Sequence, residues 1–582
     1  MQISDVALIL AENRLFPPDL EMLKPNEARY SCLLLQPTGP IFAGKQRIGP
    51  LDQAEATAKT KAFLALAIDR AAHLAIVPEY FSSWAAIDEQ ICSGSGPAEG
   101  ALWVLGCESI HAAELEAFKA KVAGSCDVLY EPLANLPADR PLLDPVLFLF
   151  QSKHSDGLMR LVALVQFKTF PSRDDAFFEE ALLKRGTTVY QFRGSDGVLS
   201  VSTIICSDAF ALDDGKVPGL VDRATLIHIQ LNPDPRNSAY RQYRKTTFET
   251  DPATSDCHII CLNWAGAVVE HGEFGHTKDW PAVSGSAWYC PDSRCKCDDD
   301  VIVPNHHLGI YYAYMQERRH ALLLDYSEAV FELLVPKVVT RGKALLANRN
   351  GPAAQERYRW DPDASSWKTA ERPIDSGFAD FLGKNKEGHT ALAHIVKNGS
   401  SIDIERLLAL TAGKVTGKEN WFAAKEIDSC KISADEVVLR VTVPQDTTEA
   451  AVDFRHARLA AAAEVRYLLD HHEKWPPQLG GLTKEAQLHW SNASPNFNVR
   501  GTDGVPALVV HLGSNGPPPR LENVTSKLVN LLRKGDGKYQ ERLCIFYRHH
   551  GNLKLAPLPF TRFDEALIDE TDILSVQIDE KI

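Results

Sequence analysis

Three short segments of the chain place a reactive side chain directly after an apolar run: Val77-Pro78-Glu79-Tyr80, Gln166-Phe167-Lys168-Thr169-Phe170-Pro171 and Ile204-Ile205-Cys206-Ser207-Asp208. A carboxylate, an ammonium and a thiol make a coherent chemical set. A free thiol titrates near pH ~8.5 and attacks carbon as its thiolate, so it needs a base or a positive neighbour. Glu79 is the candidate base and Lys168 the candidate positive charge. When a thiolate adds to an amide carbon, charge grows on the oxygen, and an ammonium aimed there stabilises the transition state more than the ground state. Taken singly, each residue has a plainer reading. A Cys closing an apolar strand is more often a packed thiol, Glu79 alone a surface carboxylate, and Lys168 alone a strand-end side chain reaching for water.

These positions gain force from the elements around them, because strand ends are where rigid sheets hold reactive groups. Apolar runs at Tyr30–Leu35, Leu74–Pro78, Ala101–Leu105, Pro145–Phe150 and Leu161–Phe167 read as strands, with helices over Asp52–Ala72 and His111–Val122. A turn at Ser155-Asp156-Gly157 implies a hairpin. Further strands are expected at Thr187–Phe192, Leu199–Ile205, Ala224–Gln230, Asp256–Asn263 and His320–Asp325, with a helix at Ala239–Thr250. Hairpins mixed with crossover helices predict a mixed sheet in a layered α/β domain.

In their order, their spacing of 89 and 38 residues and the strand before each, Pro78-Glu79, Lys168 and Ile205-Cys206-Ser207-Asp208 resemble the Glu-Lys-Cys triad of the carbon–nitrogen hydrolase (nitrilase) superfamily. Leu231-Asn232-Pro233, Leu262-Asn263-Trp264-Ala265-Gly266, Gly285-Ser286-Ala287 and Cys290-Pro291-Asp292 are similar to the family's later segments. The resemblance covers roughly residues 25–338. It implies a four-layer α-β-β-α sandwich, a thioester intermediate, no cofactor, a small-molecule amide or related substrate, and a homo-oligomer, dimer or larger. The family often carries a second Glu beyond the Lys; here Asp175 or Glu179 must serve, with Asp175 slightly favoured. Ser207 follows the nucleophile where the family's nitrilases usually have Trp, which leans towards amides, and its N–H is a candidate oxyanion donor. Asn232 joins Asp175, Glu179 and Ser207 as an auxiliary or substrate-binding candidate. Asp208 is expected to hold the turn after the nucleophile.

Other clusters carry less. Cys290, Cys295 and Cys297, with Cys257 and Cys261, lack the paired spacing of a zinc site, so no metal is expected. Leu512-Gly513-Ser514-Asn515-Gly516 followed by three prolines lacks the Gly-Lys-Ser/Thr of a phosphate loop. Asn385–Gly399 looks like the opening of one ankyrin repeat, but no second copy follows and a lone repeat cannot bury its own face.

The chain has 582 residues, 45% of them hydrophobic and 24% charged, a balance that excludes wholesale disorder. With 62 Lys+Arg against 76 Asp+Glu it is acidic, net −14, and is expected to repel nucleic acid. The longest apolar stretch, Ala62 to Val77, is broken by Asp69 and Arg70, so no membrane span is expected. The N-terminus lacks the charge and cleavage pattern of a secretory leader, and the twelve cysteines are scattered, so a cytoplasmic protein with reduced thiols is expected.

The domain expectation is a nitrilase-like domain over 1–340, a linker over 341–372, where periodicity fades, and a smaller α/β region of unknown function over 373–582. In that last region a helical stretch is expected near Thr390–Leu410, a strand at Val437–Val443, a helix at Thr448–Asp470, a strand at Ala507–Leu512, a helix at Leu521–Arg533 and strands at Leu543–Tyr547 and Leu553–Leu558. The expected function is a thiol hydrolase of non-peptide C–N bonds with a C-terminal regulatory or interaction region. The absence of a Ser-Gly-Gly-x-Asp-Ser loop disfavours a fused NAD synthetase. The alternative is a nitrilase-like sensing or scaffolding protein in stress or defence, its C-terminal region binding a partner or giving the output.

Overall fold

Strands Leu74–Ser82 and Leu102–Cys107 are buried at every position, the mark of a sheet covered on both faces. The computed structural model describes residues 1–25, 28–133, 140–174, 177–195, 197–212, 219–220, 223–235, 238–249, 256–280, 285–291, 294–295, 299–315, 319–341, 344–347, 350–371, 381–384, 390, 392–393, 401–413, 440–491, 494, 496–514, 518–535 and 541–557. The chain divides into two units, Met1–Gly377 with Lys431–Val452, and Phe378–Cys430 with Asp453–Ile582.

The first unit is α/β, with two large mixed sheets. The nine-stranded one runs in the order Ser366–Thr369, Ala353–Asp361, Ala329–Pro336, Arg29–Gln36, Leu74–Ser82, Leu102–Cys107, Pro145–Lys153, Met159–Phe167 and Asp127–Tyr130. One face, with Leu33, Ala75, Val77, Trp103 and Leu105, shares a core with Phe63, Ile87 and Leu115 from helices Gln53–Asp69, Trp84–Cys92 and Ala112–Val122. Asp52 starts the first of these helices by accepting the Glu55 N–H at 2.9 Å. From the other face, Phe148 and Phe150 meet Phe192 of the second sheet edge to face, at 5.3 and 5.4 Å.

The second sheet has eight strands, in the order Gln2–Asp5, Thr188–Arg193, Ser200–Ile205, Ala224–Ile229, His258–Leu262, Ala287–Pro291, Arg319–Leu324 and Ile310–Met315. Phe192 lies opposite Val201, so Val201, Thr203 and Ile205 share the face turned to the first sheet. His228 pairs with Ile204, on the opposite face, where Tyr243 of helix Ser238–Glu249 packs against it.

The linker expected at 341–372 is not one where it is described. Ala353–Asp361 and Ser366–Thr369 extend the nine-stranded sheet, the first pairing antiparallel with Ala329–Pro336 and the two pairing with each other. Trp367 is buried and donates its indole N–H to the Lys59 carbonyl at 3.2 Å. The end of the first domain at residue 340 is corrected with it, since the first unit runs to Gly377 and takes in Lys431–Val452. Of the strand expected at Val437–Val443, only 440–443 is described, and it is a buried turn whose Thr442 carbonyl accepts the Tyr311 hydroxyl at 3.3 Å. Asn385–Gly399 lies almost wholly outside the described residues.

The second unit is also α/β. Its five-stranded sheet runs Gln487–Leu488, Val499–Arg500, Pro506–Ser514, Leu543–His549 and Asn552–Leu555. Helix Pro518–Gly535 connects Pro506–Ser514 to its parallel neighbour Leu543–His549, a βαβ crossover. Asn498 ties the unit together by donating to Thr411 Oγ1 at 3.0 Å, at the end of helix Ser401–Thr411, and to the Val509 carbonyl at 2.6 Å. Among the described residues no helix is long and apolar enough to cross a membrane, and all ten described cysteines are free.

Candidate active site

Glu79 sits in a break in strand pairing. Leu74–Ser82 and Leu102–Cys107 pair in parallel from Leu74 to Val77, then shift register before Ser82. Pro78 has no N–H to give the ladder, and Tyr80 takes a φ of +61°, so the strand bulges and re-aims the Glu79 side chain. The neighbouring strand follows this bulge closely because residue 106 is Gly. A Cβ there would stand 2.2 Å from the Pro78 carbonyl oxygen.

Lys168 comes one residue after Met159–Phe167, and Asp144 one residue before Pro145–Lys153. The antiparallel register Pro145↔Phe167 brings them side by side, with the Lys168 N–H donating to the Asp144 carbonyl at 2.9 Å. The Lys168 ammonium then meets three carboxylates: Glu79 Oε1 at 2.6 Å, Glu179 Oε2 at 2.9 Å and Asp144 Oδ2 at 3.2 Å. All four side chains are at most 2% exposed. Glu179 also accepts the Tyr80 hydroxyl at 2.9 Å and the Ser172 N–H at 2.6 Å. Glu79 Oε2 accepts the Leu231 N–H at 2.5 Å, and its carbonyl accepts the Trp264 indole N–H at 2.9 Å.

One ammonium cannot neutralise three carboxylates. Burial, joined by mutual repulsion, raises Glu79 above the usual carboxylate range and Asp144 well above it. Burial works against the Lys168 ammonium as well, but Glu179, Glu79 and Asp144 outweigh it and hold its pKa well above the usual value. The cluster therefore favours the charged form of Lys168 and the neutral form of its most strongly raised acid, Asp144. Oxygens of Glu79, Asp144 and Glu179 lie within 4.8 Å of one another, a spacing that suits a cation. The cation seated among them is the Lys168 ammonium.

Cys206 closes strand Ser200–Ile205 and opens the short helix Cys206–Ala211 with a φ of +39°, a left-handed conformation that is strained for a residue with a Cβ. Two anchors hold it. Asp208 accepts the Ile205 N–H at 3.1 Å through one oxygen; the other accepts the Thr169 N–H, the Thr169 hydroxyl and the Phe170 N–H at 2.8, 2.8 and 2.9 Å. This fastens the thiol's turn to the loop after Lys168. The second anchor is His228, whose Nε2 lies 2.9 Å from the Cys206 carbonyl and whose Nδ1 lies 2.6 Å from the Tyr243 hydroxyl. A carbonyl only accepts, so Nε2 carries the proton and Nδ1 receives the Tyr243 hydrogen. Burial lowers the His228 pKa to about 3, so the ring is neutral.

The Cys206 thiol lies 3.4 Å from the Tyr240 hydroxyl. Burial raises its pKa well above the ordinary value, Glu79 raises it further, and Lys168 and Tyr240 pull it down. At rest it is a thiol.

The structure thus brings Glu79, Lys168 and Glu179 into contact, with Cys206 within their electrostatic reach. Asp175 lies outside the described residues. The Ser207 hydroxyl donates to the Phe170 carbonyl at 2.6 Å, a loop contact. Asn232 accepts the Asp234 N–H at 2.9 Å, while its buried Nδ2 has no partner among the described residues. Sequence reasoning missed Asp144, Tyr80, His228 and Tyr240. Only Asp144 carried a signal, as an acid at the mouth of an apolar strand. Of the cysteine cluster, Cys297 is outside the described residues, and Cys257, Cys261, Cys290 and Cys295 are buried thiols.

No family model matches the chain, and no curated protein matches it. Solved structures similar to it include a CN-hydrolase superfamily protein of Xanthomonas campestris with an arsenic adduct in its active site, at 13% identity and a TM-score of 0.27, covering 53% of this chain and 90% of that one. An amidase from Nesterenkonia sp. matches at 13% identity and a TM-score of 0.25, over 43% of this chain and 86% of that one. A glutamine-dependent NAD+ synthetase from Acinetobacter baumannii matches at 12% identity and a TM-score of 0.30, over 66% of this chain but only 56% of that one. The first of these is a CN-hydrolase superfamily protein, the superfamily that the motifs resemble. At TM-scores this low, the functional reading rests on the side chains of this chain itself.

Proposed function

We propose that the chain is a thiol hydrolase of non-peptide C–N bonds, of the carbon–nitrogen hydrolase type, acting on amides in preference to nitriles. One observation carries the reading. A buried ammonium bonded to Glu79 shares a pocket of charge with a thiol held on a strained strand-to-helix turn. Glu79 takes the Cys206 proton as substrate arrives, and the thiolate forms a C–S bond to the carbonyl carbon. Lys168 and the Ser207 backbone N–H stabilise the oxyanion, and the unpartnered Asn232 amide helps to hold the substrate. The C–N bond then breaks, with the proton passing from Glu79 to the departing nitrogen. Water, deprotonated by Glu79, attacks the thioester; the C–S bond breaks, and sulfur recovers its proton as the carboxylic acid leaves. No step needs a cofactor. Glu179 orients Lys168 and Tyr80.

We assign the second unit a regulatory or partner-binding role in a cytoplasmic homo-oligomer. The test is ammonia release from a panel of primary amides, nitriles and glutamine. Turnover of an amide by the wild type, lost in Cys206→Ala, is the expected result. A full-length protein that turns over none of them, yet keeps its biological effect as Cys206→Ala, is a scaffold and not an enzyme.

A further inference from the structure

Beside the nucleophile stands a run of aromatic rings that the hydrolytic steps do not use. Tyr240, whose hydroxyl is 3.4 Å from Cys206 Sγ, packs its ring on Phe210 with centroids 4.7 Å apart and planes at 51°. Phe210 in turn meets Phe170 at 6.4 Å, nearly edge to face at 84°. Phe170 is held at both backbone ends, its N–H by Asp208 and its carbonyl by the Ser207 hydroxyl. Phe210 lies four residues beyond the nucleophile in the same short helix and is 43% exposed.

An exposed Phe is ordinary on a surface when it stands alone. This one is the middle of a three-ring wall whose far end touches the reactive sulfur, and its neighbours are fixed by hydrogen bonds to the catalytic turn. We propose that this wall is the acyl subsite, and that the preferred substrates are primary amides whose acyl group carries an aromatic or similarly flat apolar group. The inference rests on the hydrolase reading above. A substrate carbonyl placed at Sγ puts its acyl substituent beside Tyr240 and Phe210, where stacked or edge-on rings find partners.

The test compares kcat/KM for phenylacetamide and acetamide in the wild type and in Phe210→Ala, with thermal melts confirming the fold. Loss of apolar contacts in a specificity pocket changes discrimination by about 10- to 200-fold. The wild type is therefore expected to favour the aryl amide at least ~10-fold, and Phe210→Ala to cut that ratio at least ~10-fold, chiefly through KM. No preference in the wild type overturns the proposal. So do equal losses on both substrates, which would place Phe210 in packing or assembly.

A second measurement does not depend on turnover: the rate at which Cys206 is alkylated by bromoacetamide and by its α-phenyl analogue, each normalised to its rate with free cysteine. Selective labelling by the phenyl reagent that Phe210→Ala abolishes supports the wall even where no amide is hydrolysed, the case in which the hydrolase reading alone fails. Unselective labelling overturns the wall.

Discussion

Two buried ion-pair sites in the first unit solve the same electrostatic problem in opposite ways. Arg357 and Asp325 form a bidentate fork, with Nη1 to Oδ2 at 2.5 Å and Nη2 to Oδ1 at 2.9 Å, both side chains at most 2% exposed. The guanidinium also stacks over Phe331 at 5.0 Å, and the pair fastens strand Ala353–Asp361 to the turn after Arg319–Leu324. A guanidinium and a carboxylate meet there in bidentate geometry, which holds two segments together. At Lys168 one ammonium serves three carboxylates, and burial pushes Glu79 and Asp144 towards their protonated forms. Such an imbalance costs stability, and crowded buried acids of this kind collect where protons are transferred, which is why the proposed chemistry is placed at the Lys168 cluster and not at the Arg357 pair.

The comparison breaks most decisively at the two cations. Lys168→Met removes the oxyanion partner and leaves three acids to share protons, so amide turnover should fall at least ~10³-fold, measured by ammonia release. Turnover that survives within ~10-fold would remove Lys168 from the reaction. At the structural site, Asp325→Asn leaves a buried guanidinium uncompensated and should cost about 3–5 kcal/mol in urea unfolding.

The same change of acid to amide should behave differently in the cluster. Burial makes Asp144 the acid of the cluster that most favours its neutral form, and an amide keeps a donor towards Glu79, so Asp144→Asn should cost under ~1.5 kcal/mol and leave the acid limb of the kcat/KM profile in place. In the wild type that limb should lie above the ordinary carboxylate range, because turnover falls as pH drops through the raised Glu79 pKa. The stability sign is the reverse. Glu79 and Asp144 bind protons more tightly folded than unfolded, so their contribution is complete below the unfolded carboxylate pKa and is lost as pH rises through the folded values.

An effect of opposite sign is expected where the partly exposed Glu21 meets the buried Lys337. The Lys337 ammonium, with Lys24, lowers Glu21 to about 2. Its contribution is present above the unfolded carboxylate pKa and is lost as pH falls towards 2. Glu21→Gln leaves the buried Lys337 ammonium without its carboxylate, so it should lower stability near neutral pH by about 1–3 kcal/mol and flatten the acid side of the unfolding profile.

Much of the cluster is legible in the sequence, for a local reason. Lys168 and Cys206 each follow an apolar strand directly, and Glu79 follows the apolar run Leu74–Val77 at a bulge inside its strand, so the pattern that makes each strand also marks the side chain beyond it. Asp144 and Tyr240 are not legible in this way. Asp144 reaches Lys168 only through the Pro145↔Phe167 register, and Tyr240 reaches Cys206 only through the packing of helix Ser238–Glu249. Neither register nor packing is written within a few residues of either side chain. The failed linker has a different cause. Residues 353–369 form the two outermost strands of the nine-stranded sheet, with Arg357, Tyr358 and Trp367 buried, and their charged average composition concealed that burial.

The measurement that tests the central claim most directly is intact-mass spectrometry of the wild type and Cys206→Ala, quenched in acid during turnover of a primary amide. The account requires an added acyl mass, that of the amide less ammonia, on the wild type alone, mapping to Cys206. Turnover with no adduct at any quench time and undiminished in Cys206→Ala, or an adduct on both proteins, would contradict it.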